Sequence, residues 1–270
     1  MNEPSKPSDP SDPSDPSDPS EPGPLGPSTF LVGGGWATPV VYEPFLRAAG
    51  KTAGSAPRIA CVIVDEGEGD GERQFARYEG TLRSAGDCTP VPVLVPIGHR
   101  FDVEAARDVD GLLVCGGLTP AYQDAFADCL DRLPRLLAER GVPYAGFSAG
   151  AALAARSAVV GGWLLDGVPV CPEDTAEDLA EIAVRDGLGL VSFAVDAHAA
   201  QWGTLPRLIA AVARHRLPHG VAVDENTLVE VAPDGRAHVS GLGRAHSVRP
   251  SADDGVLVRS YGAGESFPAA

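Results

Sequence analysis

Residues 144–156 read YAGFSAGAALAAR: a short apolar run, a serine with a glycine two positions to either side, and an alanine-rich stretch of helical character. Gly146-Phe147-Ser148-Ala149-Gly150 satisfies G-x-S-x-G, and a strand before it with a helix after it is the context a nucleophile elbow requires. The glycines have a steric reason. A serine at so sharp a turn takes a strained backbone conformation, and side chains two positions away would collide across it. A helix starting at Ala149 turns free backbone N–H groups toward the serine. Gly-Ser-Gly combinations also occur in ordinary turns, so the rest of the chain has to support the reading.

Upstream, RIACVIV (Arg58–Val64) is β-branched and apolar, the pattern of a strand buried on both faces. ERQFARYEGTLRSAG follows, with Phe75, Tyr78 and Leu82 on one helical face and Gly86 as a stop. VPVLVP (Val91–Pro96) is a second strand, which its prolines place near an edge, and DGLLVCGG (Asp110–Gly117) is a third. One helix is expected after it, with Tyr122, Phe126, Cys129, Leu133 and Leu136 as its core stripe. Strands alternating with helices give an α/β three-layer sandwich around a mostly parallel sheet. From about Gly187 the runs GVAVDE, TLVEVA and AHVSGL follow closely, with PDG (Pro233–Gly235) as a turn, so an antiparallel C-terminal portion is expected. Residues 29–270 read as one domain. Residues 1–28 carry a Ser-Asp-Pro repeat with almost nothing apolar to bury, and are expected to be a disordered tail.

Composition narrows the function. With 270 residues and 44% hydrophobic content the chain can fill a sizeable core. A formal net charge of −16 argues against binding nucleic acid or an anionic membrane surface. No apolar run approaches the roughly 18 residues that span a bilayer. The start MNEPSKPSDP lacks the basic end and apolar stretch of a signal peptide, and none of the five cysteines forms a C-x-x-C pair, so reduced thiols in a cytoplasmic protein are expected. The run LVGGGW (Leu31–Trp36) lacks the lysine of a phosphate loop and the third glycine of a dinucleotide fingerprint, and reads as a tight turn. No His, Cys, Asp and Glu cluster has metal-ligand spacing. Neither a metal nor a cofactor is expected, and a homodimer is left open.

A nucleophilic serine needs a base and a group to orient it. Of the six histidines, His198 directly follows the strand-like run SFAVDA, and α/β sheets present catalytic groups at the C-terminal ends of their strands. His215 and His219 flank a helix end, and His238 and His246 lie in the turn-rich C-terminal part; solvated or capping roles are expected for these four. His99, in a loop, carries no signal.

The segments VCGGLTPAY, YAGFSAGAALAA, GLGLVSFAVDAH and GVAVDENTLVEV occur in an order and spacing that resembles the dipeptidase E and cyanophycinase family. These are serine peptidases on the class I glutamine amidotransferase-like, flavodoxin-like fold. The resemblance covers roughly residues 29–245. It implies Ser148 as nucleophile, His198 as base, and the backbone N–H groups of Gly117 and Ala149 as the oxyanion hole. The family also places an acidic residue in the loop after the serine's helix. Asp166, in LLDGVPV, fits that window, with Glu173 and Asp174 as close rivals. Class I amidotransferases themselves carry cysteine at the elbow, so Ser148 argues against glutamine hydrolysis.

The chain also departs from that family. Where cyanophycinase-like members read Asp-Gln-His followed by Arg-Gly-Arg, it reads DAHAAQWGTLPR, with Trp202 and Thr204 in place of arginines and Arg207 remaining. Leu118 replaces the common polar residue after the paired glycines. An acidic substrate side chain favours a bidentate arginine, so these changes put an aspartyl substrate in doubt. Trp202 and Arg207 are the candidate substrate-binding residues. The expected function is a serine peptidase acting on a small peptide or amide. An esterase and an inactive ligand-binding domain are the alternatives.

Overall fold

The protein is described by a computed structural model at residues 27–51, 53, 56–253 and 255–270. The Ser-Asp-Pro tract, and with it nearly all of the tail expected to be disordered, lies outside the described residues. In chain order, β1 (Thr29–Val32) is followed by α1 (Glu43–Ala49), β2 (Arg58–Asp65), α2 (Asp70–Ala85), β3 (Thr89–Pro96) and β4 (Gly111–Val114). The helices α3 (Thr119–Phe126) and α4 (Arg132–Arg140) precede β5 (Tyr144–Phe147) and the short α5 (Ala149–Leu153). Then come β6 (Ser157–Gly161), β7 (Leu164–Leu165), β8 (Val168–Pro169), β9 (Ala183–Asp186), β10 (Ala194–Asp196) and α6 (Leu205–His215). The chain closes with β11 (Gly220–Val223), β12 (Thr227–Val231), β13 (Arg236–Gly241), β14 (Ala245–Pro250), β15 (Val256–Tyr261) and β16 (Ser266–Pro268).

The main sheet runs in the order β16-β13-β12-β1-β5-β4-β2-β3. Its five strands from β1 to β3 are mutually parallel, and β12 joins β1 antiparallel. Alternation along β2 builds the layers. Ile59, Cys61 and Ile63 pack with Phe45, Tyr78 and Leu82 of α1 and α2. Ala60, Val62 and Val64 pack with Tyr122, Phe126 and Leu133 on the α3–α4 side. The α/β three-layer arrangement follows, as expected.

β3 is the edge strand, and its prolines explain why. Thr89 N–H donates to the Pro57 carbonyl beside β2, at 2.8 Å. Backbone groups alternate sides along a strand, so Pro90, Pro92 and Pro96, each an odd number of residues from Thr89, put their missing donors on the unpaired side. The single helix expected after β4 is instead two. Pro134 cannot bond back to Leu130 and its ring would crowd that carbonyl, so it stands in the first turn of a new helix. The antiparallel C-terminal portion is divided between sheets: β12, β13 and β16 extend the main one. β11 pairs parallel with β10 and antiparallel with β14 in a second sheet, ordered β10-β11-β14-β15.

Candidate active site

The C-terminal ends of β1, β4, β5, β10 and β11 converge on one cleft of about 710 Å³, where an α/β sheet places its chemistry. Ser148 stands at the end of β5 with φ 52° and ψ −108°, a region that side chains seldom occupy. Its amide donates to the Val32 carbonyl at 2.9 Å, which anchors the elbow to β1. A Cβ at Gly146 would lie 2.3 Å from the Gly150 carbonyl oxygen, and one at Gly150 would lie 2.1 Å from that of Val114. Both glycines of the motif are therefore sterically required. Gly117 lines the cleft, and among the described residues neither its N–H nor that of Ala149 donates a hydrogen bond.

His198 lies two residues beyond β10, also at positive φ, 55°. Its Nε2 is 2.8 Å from Ser148 Oγ, and its Nδ1 is 2.8 Å from Glu225 Oε1. Ser148 and His198 are both buried, at 8% and 7% exposure, and Glu225 is partly open. Burial pushes the imidazole below its ordinary value, and the bond and charge of Glu225 oppose that shift only in part. Burial thus favours the neutral ring. With Glu225 accepting from Nδ1–H, the Nε2 lone pair faces the serine hydroxyl.

The structure therefore brings Ser148 and His198 together, but not Asp166. Asp166 and Gly167 form the turn between β7 and β8, at φ 51° and 77°, and two successive positive values are what a type I′ hairpin demands. The Asp166 carboxylate is exposed and pairs with Arg214 at 3.4 Å. Glu173 and Asp174 line the cleft without a bond to His198. The carboxylate on Nδ1 belongs to Glu225, in the DENT segment. The signal for it was adjacency: β10 and β11 pair in parallel, Asp196 opposite Ala222, so the residues just past their ends meet. The neighbours of Glu225 tie the surrounding loops together. Asp224 accepts from the Ala200 and Arg244 amides at 3.0 and 2.9 Å, and Asn226 Oδ1 accepts from the Ala37 amide at 2.7 Å.

Arg207 is not a substrate arginine. It is buried at 5% exposure, grips both oxygens of Asp196 at 2.9 and 2.8 Å, and donates to the Thr175 carbonyl at 2.5 Å. Burial pushes its guanidinium down, but Asp196 outweighs this and holds it above its ordinary value. It fastens the loop around Thr175, one wall of the cleft, to the strand that precedes His198. Trp202 does reach the cleft and stacks on His198. Thr204 is fully buried, its hydroxyl donating to the Ala197 carbonyl at 2.6 Å. His219, expected to be solvated or capping, is buried against Ser247 Oγ at 2.9 Å.

Trp36, Tyr78 and Phe147 give the cleft an apolar wall of mutually packed rings. Glu173, Asp174, Glu177 and Asp178 also line it; among the described lining residues, Arg77 supplies the only guanidinium, 3.9 Å over the Trp36 ring. The LVGGGW run is more than a turn. A Cβ on Gly34 would fall 2.1 Å from His198 Cε1, so glycine there makes room for the imidazole. Among the described residues, no group of three or more His, Cys, Asp and Glu side chains is placed to hold a metal ion, and no helix is long and apolar enough to cross a membrane.

No family model matches the chain. A cyanophycinase of Synechococcus elongatus is 30% identical over 178 residues, which cover 64% of this chain and 53% of the relative. A cyanophycinase of Thermosynechococcus vestitus matches to the same extent, so the chain spans about half the length of these curated relatives. Among solved structures, a peptidase from an acI-B1 Actinobacterium superposes with a TM-score of 0.59 at 19% identity, covering 91% of this chain and 98% of that one. A candidate peptidase E from Listeria monocytogenes EGD-e gives a TM-score of 0.51 at 13% identity, covering 81% and 100%. The fold is thus the α/β sandwich of these peptidase structures, with its mostly parallel central sheet and, in this chain, serine at the elbow. The chain is similar to cyanophycinases in sequence and to peptidase E-like structures in fold, the resemblance its motifs had indicated.

Proposed function

We propose that this chain is a serine-type peptidase that hydrolyses a small peptide or amide through an acyl-enzyme at Ser148. The observation that carries the reading is the continuous chain of contacts Ser148 Oγ–His198 Nε2 and His198 Nδ1–Glu225, each at 2.8 Å, at the cleft. Its similarity to cyanophycinases and peptidase E-like structures supports the same class of substrate bond.

In this mechanism the serine hydroxyl gives its proton to His198 Nε2 as Oγ bonds to the scissile carbonyl carbon. The carbonyl oxygen becomes an oxyanion and accepts from the N–H groups of Gly117 and Ala149, each such donor being worth roughly 10²–10³ in rate. Collapse expels the amine, which takes the proton from Nε2. A water molecule, deprotonated by the same nitrogen, then attacks the acyl-enzyme, and the serine regains its proton as the acid product leaves. Glu225 holds the tautomer and offsets the charge of the imidazolium without taking the proton.

Labelling with a fluorophosphonate, followed by a panel of dipeptides, amides and matched esters, tests the proposal. Stoichiometric modification at Ser148 with turnover of peptide or amide bonds is the expected result. Ester turnover alone would make the protein an esterase. A Ser148 that takes no label and a chain that turns over neither class would leave an inactive ligand-binding domain.

A further inference from the structure

The imidazole of His198 is held by two neighbours, Trp202 and Gly34. Trp202 stacks on one face, its ring centroid 3.8 Å from the imidazole centroid and the planes 8° apart. The Gly34 backbone also presses on the ring, so closely that a Cβ there would fall 2.1 Å from Cε1 and 2.5 Å from Nδ1. The indole is held in register by local backbone geometry. The Trp202 amide donates to the His198 carbonyl at 2.8 Å, a single helical turn that puts residues i and i+4 one above the other. Thr204 closes that turn through its amide to the Ala199 carbonyl at 3.1 Å and its hydroxyl to Ala197.

We propose that Trp202 is a positioning residue for His198: indole and Gly34 backbone form a slot that fixes the imidazole between Ser148 and Glu225 and steadies the imidazolium formed in turnover. This rests on the serine-peptidase reading above. An indole face is the best aromatic partner for a cation, so the stack tightens when His198 is protonated, whereas a neutral ring gains only packing. The preference acts where charge develops, which is the condition for raising kcat rather than affinity. The other charged groups around the ring are Glu225 at the end of β11, Asp196 on β10 and Arg207 on α6. The last two satisfy each other in a bidentate pair, so the ring answers mainly to Glu225 and to its own burial. Trp202 is itself 41% exposed, which leaves its outer face open to the cleft and makes it replaceable without emptying the core.

The test compares Trp202→Ala, Trp202→Leu and Trp202→Phe with the wild-type full chain by steady-state kinetics, fluorophosphonate inactivation rate, and NMR titration of the His198 imidazole. Trp202→Ala is expected to lower kcat and the labelling rate by about tenfold, with KM changed less than about threefold, and Trp202→Phe to recover most of the loss. Trp202→Leu keeps the stacked face of the imidazole covered but removes the π face that steadies the imidazolium, so it should move the His198 titration further down. A raised KM with kcat unchanged would make Trp202 a substrate platform and overturn the proposal, as would a His198 titration that does not fall in Trp202→Leu. If the wild type proves inert to both substrate and label, the peptidase reading falls, while the titration still decides whether the indole steadies the charged ring.

Discussion

Glu225 meets His198 across the boundary between two neighbouring parallel strands: the carboxylate follows β11, the imidazole follows β10, and 2.8 Å separates Oε1 from Nδ1. Because that contact sets the tautomer, Glu225→Gln should lower kcat severely, with about 10⁴ as the upper guide. Asp166→Asn should leave kcat near wild type, since Asp166 is exposed and pairs with Arg214. Kinetics of the two variants side by side check this. A silent Glu225→Gln beside a dead Asp166→Asn would return the role to the loop acid.

The elbow gives a second expectation, and it separates chemistry from strain. Ser148→Ala should abolish turnover, a loss on the order of 10⁴–10⁶ in rate. Ser148→Gly should be equally inactive yet melt at a higher temperature than Ser148→Ala, because glycine relieves a backbone at φ 52° that costs about 1–3 kcal/mol with a side chain present. Calorimetry of the two variants reads the difference directly, and equal melting temperatures would mean the elbow holds no strain.

These two sites differ in how visible they were beforehand. Ser148 was legible because everything that makes the elbow is local: two glycines, a strand into it and a helix out of it. His198 was legible as a histidine just past a strand. Glu225 was not, because its role depends on β11 lying beside β10, and that pairing is long-range. Asp166 was misread although its signal was present, since Asp-Gly between apolar pairs is the hairpin turn that needs two positive φ values. Pro134 likewise marked the break between α3 and α4 inside an apolar stripe that looked continuous. The glycines at 33–35 gave no local hint that they seat the imidazole, because the ring comes from far along the chain.

Histidine burial fixes the sign of the pH dependence. In the proposed mechanism His198 works as the neutral ring, and burial holds its folded value below the ordinary 6.5. Activity should therefore be full above that value and fall only as the pH drops through a midpoint below 6.5. A kcat/KM profile with its acid limb centred above 6.5 would contradict this. Stability runs the same way. Unfolded histidines take up protons near 6.5, whereas folded His198 and His219, the latter at about 4 through burial and the nearby Arg249, do so only lower. Their contribution is complete above 6.5 and is lost as the pH falls toward the folded values. Melting temperature should decline across that window, less steeply in His219→Gln.

Arg207 and Asp196 predict a stability effect where a substrate arginine would predict an affinity effect. Arg207→Met strands a buried carboxylate and should cost about 3–5 kcal/mol, while the double variant Arg207→Met with Asp196→Leu should recover a good part of it. Denaturant unfolding of the single and double variants forms the cycle. A single variant that keeps its stability and changes only KM would put Arg207 back in contact with substrate.

The lining of the cleft bears on which peptides fit. An acidic side chain is recognised by parallel charge-assisted bonds from an arginine. Arg207 is committed to Asp196, Trp202 and Thr204 offer no charge, and Arg77 lies over Trp36. The same cleft carries Glu173, Asp174, Glu177 and Asp178, and burial raises the Glu177 carboxyl above its ordinary value while the Thr119 amide counters it. A second anion brought among these carboxylates meets repulsion that salt screens over about 10 Å at 0.1 M. Dipeptides or amides with a neutral N-terminal side chain should therefore be cleaved at least as well as aspartyl ones, with basic residues favoured at low ionic strength. Raising the salt should narrow the gap between basic and aspartyl substrates. The check is a matched dipeptide library assayed at two salt concentrations. A strong, exclusive preference for N-terminal aspartate would mean that Arg77 leaves Trp36 to bind it, and Arg77→Gln would then abolish the preference.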